Sequence, residues 1–338
     1  INLLGTPRCN LRCSFCHVRD GVGKDDGDRL TPDEWRAVIG SIPRLTIVDV
    51  SGGEPLAAPD IREILGGLLA SGHRVSMVTN GTRLTDETID FLLEKRLTYL
   101  MVSLDGLEGY HDRMRGMPGA FAAATEGVKR LLSERSRRGR RLPLVCIKTN
   151  ITNDSAEEIP ALMEYVDTEL KADTHQFNFL FDNPLLEGFV ITDRLDDARM
   201  REGNRHRYRA DAVEGLCGLV DHIHAYEARN GTRFEWSQRM VTPETMKAYI
   251  HDPSRVGVRR CDVPWTQFML HYNGEVTPCV TYRVGNIRDM GYDVRRVLRH
   301  PRYRAFLKEF ARRMPYAGAC DGCCHPLRHE LKNGREHE

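Results

Sequence analysis

Thr6-Pro7-Arg8-Cys9-Asn10-Leu11-Arg12-Cys13-Ser14-Phe15-Cys16-His17 places three cysteines within eight residues. Soft thiolates crowded in this way suit zinc or an iron-sulfur cluster, and three ligands instead of four leave one coordination position open. Cys13 and Cys16 alone make a Cys-x-x-Cys pair, which also reads as a redox site or half of a zinc knuckle. A redox pair leaves Cys9 unexplained. A closed zinc site needs a fourth ligand, and the candidate, His17, directly follows Cys16, an awkward geometry for a tetrahedron. A cluster with one open iron uses all three thiols.

Outward from this stretch the chain alternates strands and helices. Ile1 to Thr6 reads as a short buried strand, so the cysteines occupy the loop at its C-terminal end. Gly21 to Asp28 is polar and glycine-rich but lacks a Gly-Lys-Ser/Thr ending, which makes it a flexible loop and not a phosphate cradle. Thr31 as N-cap, Pro32 at the first position and Glu34 closing a capping box predict a helix start. The β-branched run Leu45 to Val50 ends in Ser51-Gly52-Gly53-Glu54-Pro55, where tandem glycines permit close backbone approach beside a carboxylate. Strands are expected again at 74–79, 99–104, 144–149 and 175–181, separated by helices, which indicates a parallel α/β architecture.

Cys-x3-Cys-x2-Cys, followed by Gly52-Gly53-Glu54 at the next strand end, resembles the radical SAM superfamily. The resemblance implies an incomplete (β/α)6 TIM-like barrel and a 4Fe-4S cluster on Cys9, Cys13 and Cys16. It further implies S-adenosylmethionine on the open iron, with Gly52, Gly53 and Glu54 receiving its methionine amine. Chemistry in such barrels sits at the C-terminal strand ends, and by resemblance Ser103, Asp105 and Asn150 contact the ribose and methionine parts. His111-Asp112-Arg113-Met114-Arg115 is similar to a segment of the same family, in which Arg115 would pair with the cosubstrate carboxylate; an exposed salt bridge is the other reading.

Eight of the ten cysteines gather toward the two ends of the chain, which suggests metal ligation more than a disulfide scaffold. Cys146 lies in an apolar run and reads as a core residue, while Cys217 has no assignment. Near the C-terminus, Cys261 and Cys279 bracket an Asn273-Gly274 turn, expected as a type I′ hairpin, with Gly285-Asn286-Ile287 and then Cys320-Asp321-Gly322-Cys323-Cys324 beyond. A four-thiolate zinc site is one reading. The arrangement resembles the SPASM and twitch domains of radical SAM enzymes, implying one auxiliary 4Fe-4S cluster on Cys261, Cys279, Cys320 and Cys323, with Cys324 an alternative to Cys323. The expected domains are 1–230 for the barrel, with a core at 1–182 and an extension at about 183–236, and 237–338 for the auxiliary cluster.

The 338 residues are 41% hydrophobic and 29% charged, with a net charge of +1, so nothing global favours nucleic acid or an anionic membrane. Without an apolar run of transmembrane length or a secretory pattern, the chain reads as cytoplasmic. It opens on Ile1 with no initiator methionine, so an N-terminal extension is expected to be missing from view. Arg194, Arg199, Arg201, Arg205, His206, Arg207 and Arg209 form a basic run: a solvated helix face, or a cationic wall at the barrel mouth.

The resemblance implies an enzyme that takes an electron from a donor such as flavodoxin or ferredoxin, cleaves S-adenosylmethionine to a 5′-deoxyadenosyl radical and abstracts substrate hydrogen. Peptide maturases of the family commonly carry a domain ahead of the barrel, and only eight residues precede Cys9 here. The expected substrate is therefore a small molecule, a sugar, nucleoside, nucleotide-sugar or aminoglycoside, in natural-product or cofactor biosynthesis. A peptide or protein maturase is the alternative, and a non-catalytic zinc or iron-sulfur interaction module a third.

Overall fold

The structure is a computed structural model that describes residues 1–16, 28–180, 208–238, 240, 242–279, 282–312, 320, 323 and 327–331. His17, residues 21–27 of the glycine-rich loop, Arg194 to Arg207 of the basic run and Cys324 lie outside these described residues.

Parallel strands β1 (Asn2–Thr6), β2 (Ile47–Gly52), β3 (Arg74–Thr79), β4 (Tyr99–Ser103), β5 (Leu144–Ile151) and β6 (Thr174–Phe179) follow one another in space as in sequence. Between them run α1 (Pro32–Ser41), α2 (Ile61–Ala70), α3 (Asp86–Lys95), α4 (Glu108–Arg115), α5 (Ala120–Arg137) and α6 (Glu158–Tyr165). Register explains the core: Leu3, Val50, Met77, Leu100 and Val145 stand directly beside one another across five strands, each at most 1% exposed. Each such side chain contributes about 1.5–3 kcal/mol on burial. α1 begins as the local sequence dictates, with the Thr31 hydroxyl accepting from Glu34 N and the Glu34 carboxylate from Thr31 N, and it buries Trp35, Val38 and Ile39 on one face.

The rhythm expected to break after 182 resumes within the described residues. α7 (Ala210–Asn230) leads to β7 (Phe234–Trp236), which adds a seventh parallel strand beside β6. At the other edge, beyond α8 (Pro243–His251), β8 (Val256–Arg260) and α9 (Val263–Thr266), strand β9 (Met269–His271) pairs in parallel with β1. Leu270 thereby extends the buried row next to Leu3. The antiparallel strands β10 (Glu275–Thr277) and β11 (Gly285–Asn286) complete one open ten-stranded sheet.

The β9–β10 turn differs from expectation. A type I′ turn needs positive φ at both central residues, but only Gly274 is left-handed, at φ +84°. The Gly274 N–H donates to His271 O at 2.9 Å, so the loop has three residues and Gly274 supplies the left-handed position. A Cβ there would lie 2.6 Å from Asn286 Oδ1, which ties this glycine to the Gly285-Asn286-Ile287 motif.

Arg288 joins this region to the first helix. Its Nε sits 2.8 Å from Glu34 Oε1, and its Nη1 donates to Asn273 O at 2.9 Å. Arg288 holds the Glu34 pKa at about 2, against an ordinary 4.5. A depressed carboxylate pKa contributes stability that is present above the unfolded value and lost as pH falls through the folded one. Arg288→Ala is therefore expected to cost about 1 kcal/mol at pH 7, with the gap to the parent closing between pH 4.5 and 2. Denaturant titrations at pH 7 and pH 3 check this, and a gap of equal size at both would assign it to lost packing. No described helix is long and apolar enough to cross a membrane.

Candidate active site

The cysteine loop leaves the C-terminal end of β1 and is gripped from two sides. On one side is the turn after β2: Gly53 N donates to Thr6 O at 2.8 Å and Glu54 N to Arg8 O at 2.7 Å. On the other is the end of α4: Arg12 N donates to Arg115 O at 3.1 Å and Ser14 N to Met114 O at 2.9 Å. The glycines serve this grip. A Cβ on Gly53 would lie 2.2 Å from Arg8 O, and one on Gly52, at φ +128°, 2.6 Å from Thr6 O. The close approach expected of the tandem glycines is thus made by the cysteine loop itself.

Glu54 is fully buried and closes the turn. Its carboxylate accepts from Leu56 N at 3.0 Å, Thr79 Oγ1 at 2.7 Å and Asn80 N at 2.7 Å. Burial raises its pKa, and these three donors oppose the shift. A carboxylate has about four lone-pair sites, so about one remains for a ligand amine. Thr79 ends β3 and Asn80 directly follows it, and both matter more than sequence reading assigned them. Asn80 Nδ2 donates to Asn10 Oδ1 at 3.0 Å and reaches Cys9 Sγ at 4.0 Å, tying the third strand end to the cysteines.

Cys9, Cys13 and Cys16 pack in one small cluster with Leu11, Phe15, Met117 and Ala120. Burial pushes the Cys9 thiol pKa up, with the Glu54, Cys13 and Cys16 charges adding and the Leu11 N–H opposing. Among the described residues no three His, Cys, Asp or Glu side chains converge closely enough to share one ion. A cluster in which each thiolate takes a different iron does not require that of them.

At the end of β4, Asp105 is fully buried. Its Oδ1 accepts from Asn150 N at 3.1 Å and Asn150 Nδ2 at 3.2 Å, and its Oδ2 lies 2.7 Å from Arg115 Nε. Its backbone N–H donates to His111 Nδ1 at 3.2 Å. Burial and the Arg115 charge lower the His111 pKa to about 4, so the ring is neutral and accepts that bond. Asn178 Nδ2 continues the chain to Asn150 Oδ1 at 2.8 Å, while Ser103 stays partly exposed at its strand end.

Arg115 is not the exposed salt bridge of the second reading: it is 6% exposed, because the cysteine loop covers it. Of the expected cosubstrate contacts, Ser103 and Asn150 present accessible surface, whereas Glu54, Asp105 and Arg115 act in this structure on other protein groups. His111, missed as a site residue, carries a signal only in hindsight, six residues beyond Asp105.

In the C-terminal region Cys261, Cys279 and Cys320 are partly buried against the main core, and Cys323 is also partly buried. Tyr303, on the helix Pro301–Arg312, has its pKa raised by burial and by the Cys279 charge. Of the described basic run, Arg209 is exposed and pairs with Asp154 at 2.7 Å and Asp211 at 3.2 Å. Cys146 is fully buried on β5.

The sequence model of the radical SAM superfamily matches residues 3–166, from β1 into the helical turn after α6. The chain belongs to the radical SAM superfamily. A second match, to the SPASM iron-sulfur cluster-binding domain, spans residues 261–324.

This radical SAM chain is 35% identical over 178 residues to an AdoMet-dependent heme synthase of Methanosarcina barkeri, covering 52% of this chain and 48% of that protein. It is 27% identical over 161 residues to the sporulation killing factor maturation protein SkfB of Bacillus subtilis, covering 47% and 37%. The chain thus spans less than half the length of both relatives. Streptococcus suis SuiB, solved bound to the precursor peptide SuiA, shares the fold at a TM-score of 0.60 and 16% identity, over 82% of this chain and 58% of SuiB. Membership brings a 4Fe-4S cluster, S-adenosylmethionine and auxiliary iron-sulfur to the radical SAM chain.

Proposed function

We propose that this chain reductively cleaves S-adenosylmethionine at a cluster held by Cys9, Cys13 and Cys16 and removes hydrogen from a peptide or protein substrate. The observation that carries the first half is the double grip on the cysteine loop, by Gly53 and Glu54 from one side and by Met114 and Arg115 from the other. It presents three thiols, packed in one cluster, at the C-terminal end of β1. When bound, the cluster supplies the electron that breaks the sulfonium bond, and S-adenosylmethionine supplies the radical. The chain supplies orientation: Gly52 and Gly53 offer backbone, Glu54 a remaining lone pair, and Ser103 and Asn150 polar groups at the ends of β4 and β5.

Cys261, Cys279, Cys320 and Cys323 are proposed to hold one auxiliary 4Fe-4S cluster, fully ligated by protein and so suited to electron transfer. A low-potential donor of the flavodoxin or ferredoxin kind would feed both.

The peptide substrate is favoured by the relatives. The small-molecule expectation rested on how few residues precede Cys9, and the point where the sequence starts does not bear on the substrate. SkfB and the peptide-bound SuiB are the kin that bear on it. The heme synthase relative supports a small-molecule second reading.

Anaerobic reconstitution is expected to yield about eight irons per chain and dithionite-dependent 5′-deoxyadenosine. For the substrate, perdeuterated peptide and small-molecule pools from the source cells are offered separately, and deuterium is read in the released 5′-deoxyadenosine. Transfer from the peptide pool is expected; transfer from the small-molecule pool alone would overturn the peptide reading, and no cleavage under any condition would overturn the enzyme.

A further inference from the structure

We infer that Arg115 and Asp105 together set the reduction potential of the cluster held by Cys13, with Arg115 making its reduction easier and Asp105 limiting that effect. This rests on the reading that Cys9, Cys13 and Cys16 hold the cluster.

The geometry is specific. Arg115 Nη1 donates to Cys13 Sγ at 3.8 Å, its Nε lies 2.7 Å from Asp105 Oδ2, and its Nη2 is buried with no hydrogen-bond acceptor among the described residues. The Arg115 guanidinium also lies over the Phe15 ring, 5.3 Å from its centroid, and Phe15 stands between Cys13 and Cys16 in sequence. Two elements therefore fix it: α4 by its backbone, and the cysteine loop by its aromatic face. Side-chain exposures of 8% for Arg115 and 0% for Asp105 leave little solvent to screen either charge.

An arginine guanidinium does not lose its proton in proteins. The guanidinium is thus a permanent positive charge touching one cluster ligand. One-electron reduction adds negative charge that the thiolate sulfurs share. A cation and an N–H donor at one sulfur favour the reduced state, and hydrogen bonds to cluster sulfurs are a general determinant of such potentials.

Asp105 opposes this from 2.7 Å behind the Arg115 Nε, and its other oxygen is already taken up by Asn150. The balance is coupled to the cosubstrate side, because Asn150 stands at the end of β5 among the groups proposed to meet it. His111 Nδ1 accepts the Asp105 backbone N–H and gives no hydrogen bond to the carboxylate. Arg115 and Asp105 are positioning residues here: they act through Cys13 and do not need to touch substrate.

The test is an anaerobic potentiometric titration of the reconstituted full chain, following by EPR the reduced-cluster signal that changes when S-adenosylmethionine is added. Arg115→Met is expected to lower the reduction equilibrium at least tenfold, about 59 mV for one electron. Arg115→Lys, which keeps the charge, is expected to retain most of the parent potential, and Asp105→Asn to raise it. An Arg115→Met chain that binds the parent amount of iron at an unchanged potential overturns the inference. If Arg115→Met does not hold iron, Asp105→Asn decides, and a potential that fails to rise overturns it equally. Failure of the underlying reading looks different: Cys13→Ala would then keep the S-adenosylmethionine-sensitive signal.

Discussion

Cys13→Ala is expected to remove the S-adenosylmethionine-sensitive cluster and all reductive cleavage, while the chain keeps its fold and about half its iron, about four of about eight atoms. The reasons are local. Cys13 is 9% exposed, with Leu11 and Ala120 buried beside it and Arg115 Nη1 against its sulfur. Alanine there leaves an apolar pocket lined by a buried cation with one partner fewer, so no water-filled substitute ligand forms easily.

The fold survives because the row from Leu270 through Leu3 to Val145 lies in the sheet and does not use the loop. Cys9→Ala and Cys16→Ala should behave alike, since a cluster with one open iron has no spare thiolate. Cys217→Ser is the comparison. That cysteine lies on α7, with His251 Nε2 3.9 Å from its sulfur, and its replacement should leave iron, EPR signal and 5′-deoxyadenosine at parental levels. Iron and sulfide assays with product quantification read all four variants. Cleavage that persists in Cys13→Ala would place the reacting cluster elsewhere.

What was legible in the sequence was local or periodic. The Thr31 to Glu34 capping box is set by residues three apart, and the structure forms it as read. The alternation of strands and helices through β6 follows from apolar periodicity. β7 was not legible because its three residues carry too little pattern and follow a basic stretch. The pairing of β9 with β1 joins residues such as Met269 and Asn2, and no local signal marks an edge so far along the chain.

The site divides in the same way. Three cysteines and a Gly-Gly-Glu turn are motifs of spacing. That Glu54 would be occupied by Thr79 and Asn80, or that Arg115 would lie under the cysteine loop, depends on contacts 25 and 102 residues apart. The second reading of Arg115, an exposed salt bridge beside the cosubstrate role, fits an Arg in a charged helix. Burial became affordable only because Asp105, from another strand end, pairs with it.

Gly53→Ala is expected to be as damaging to the site as loss of a cysteine, although it removes no ligand. The added methyl would sit 2.2 Å from Arg8 O and 2.7 Å from the Arg8 carbonyl carbon, both backbone atoms that no rotamer change can move. Relief requires the cysteine loop to retreat, which breaks the Gly53 to Thr6 and Glu54 to Arg8 hydrogen bonds. The cost is about 1–3 kcal/mol of overpacking, together with Cys9 shifting away from Asn80.

Gly66→Ala controls for the chemistry of the change. On α2 no described atom outside the helix's own backbone lies within 4 Å of the new methyl, and a helix interior gains about 1 kcal/mol when alanine replaces glycine. Gly53→Ala should therefore lower the denaturation midpoint, bind about half the parental iron and release no 5′-deoxyadenosine, while Gly66→Ala is as stable as the parent or more so and fully active.

Glu54→Gln separates the backbone role of the turn from that of the carboxylate. The amide keeps an oxygen for Thr79 and Leu56 but turns an NH2 toward the Asn80 N–H, a donor against a donor. That costs about 1–3 kcal/mol, with the glycine backbone and the three cysteines unchanged, so Glu54→Gln is expected to lose stability and cosubstrate affinity yet retain the cluster. A Gly53→Ala chain that binds and cleaves S-adenosylmethionine like the parent would mean that the loop can hold its thiols without the turn behind it, and the double grip would lose its place as the basis of the site.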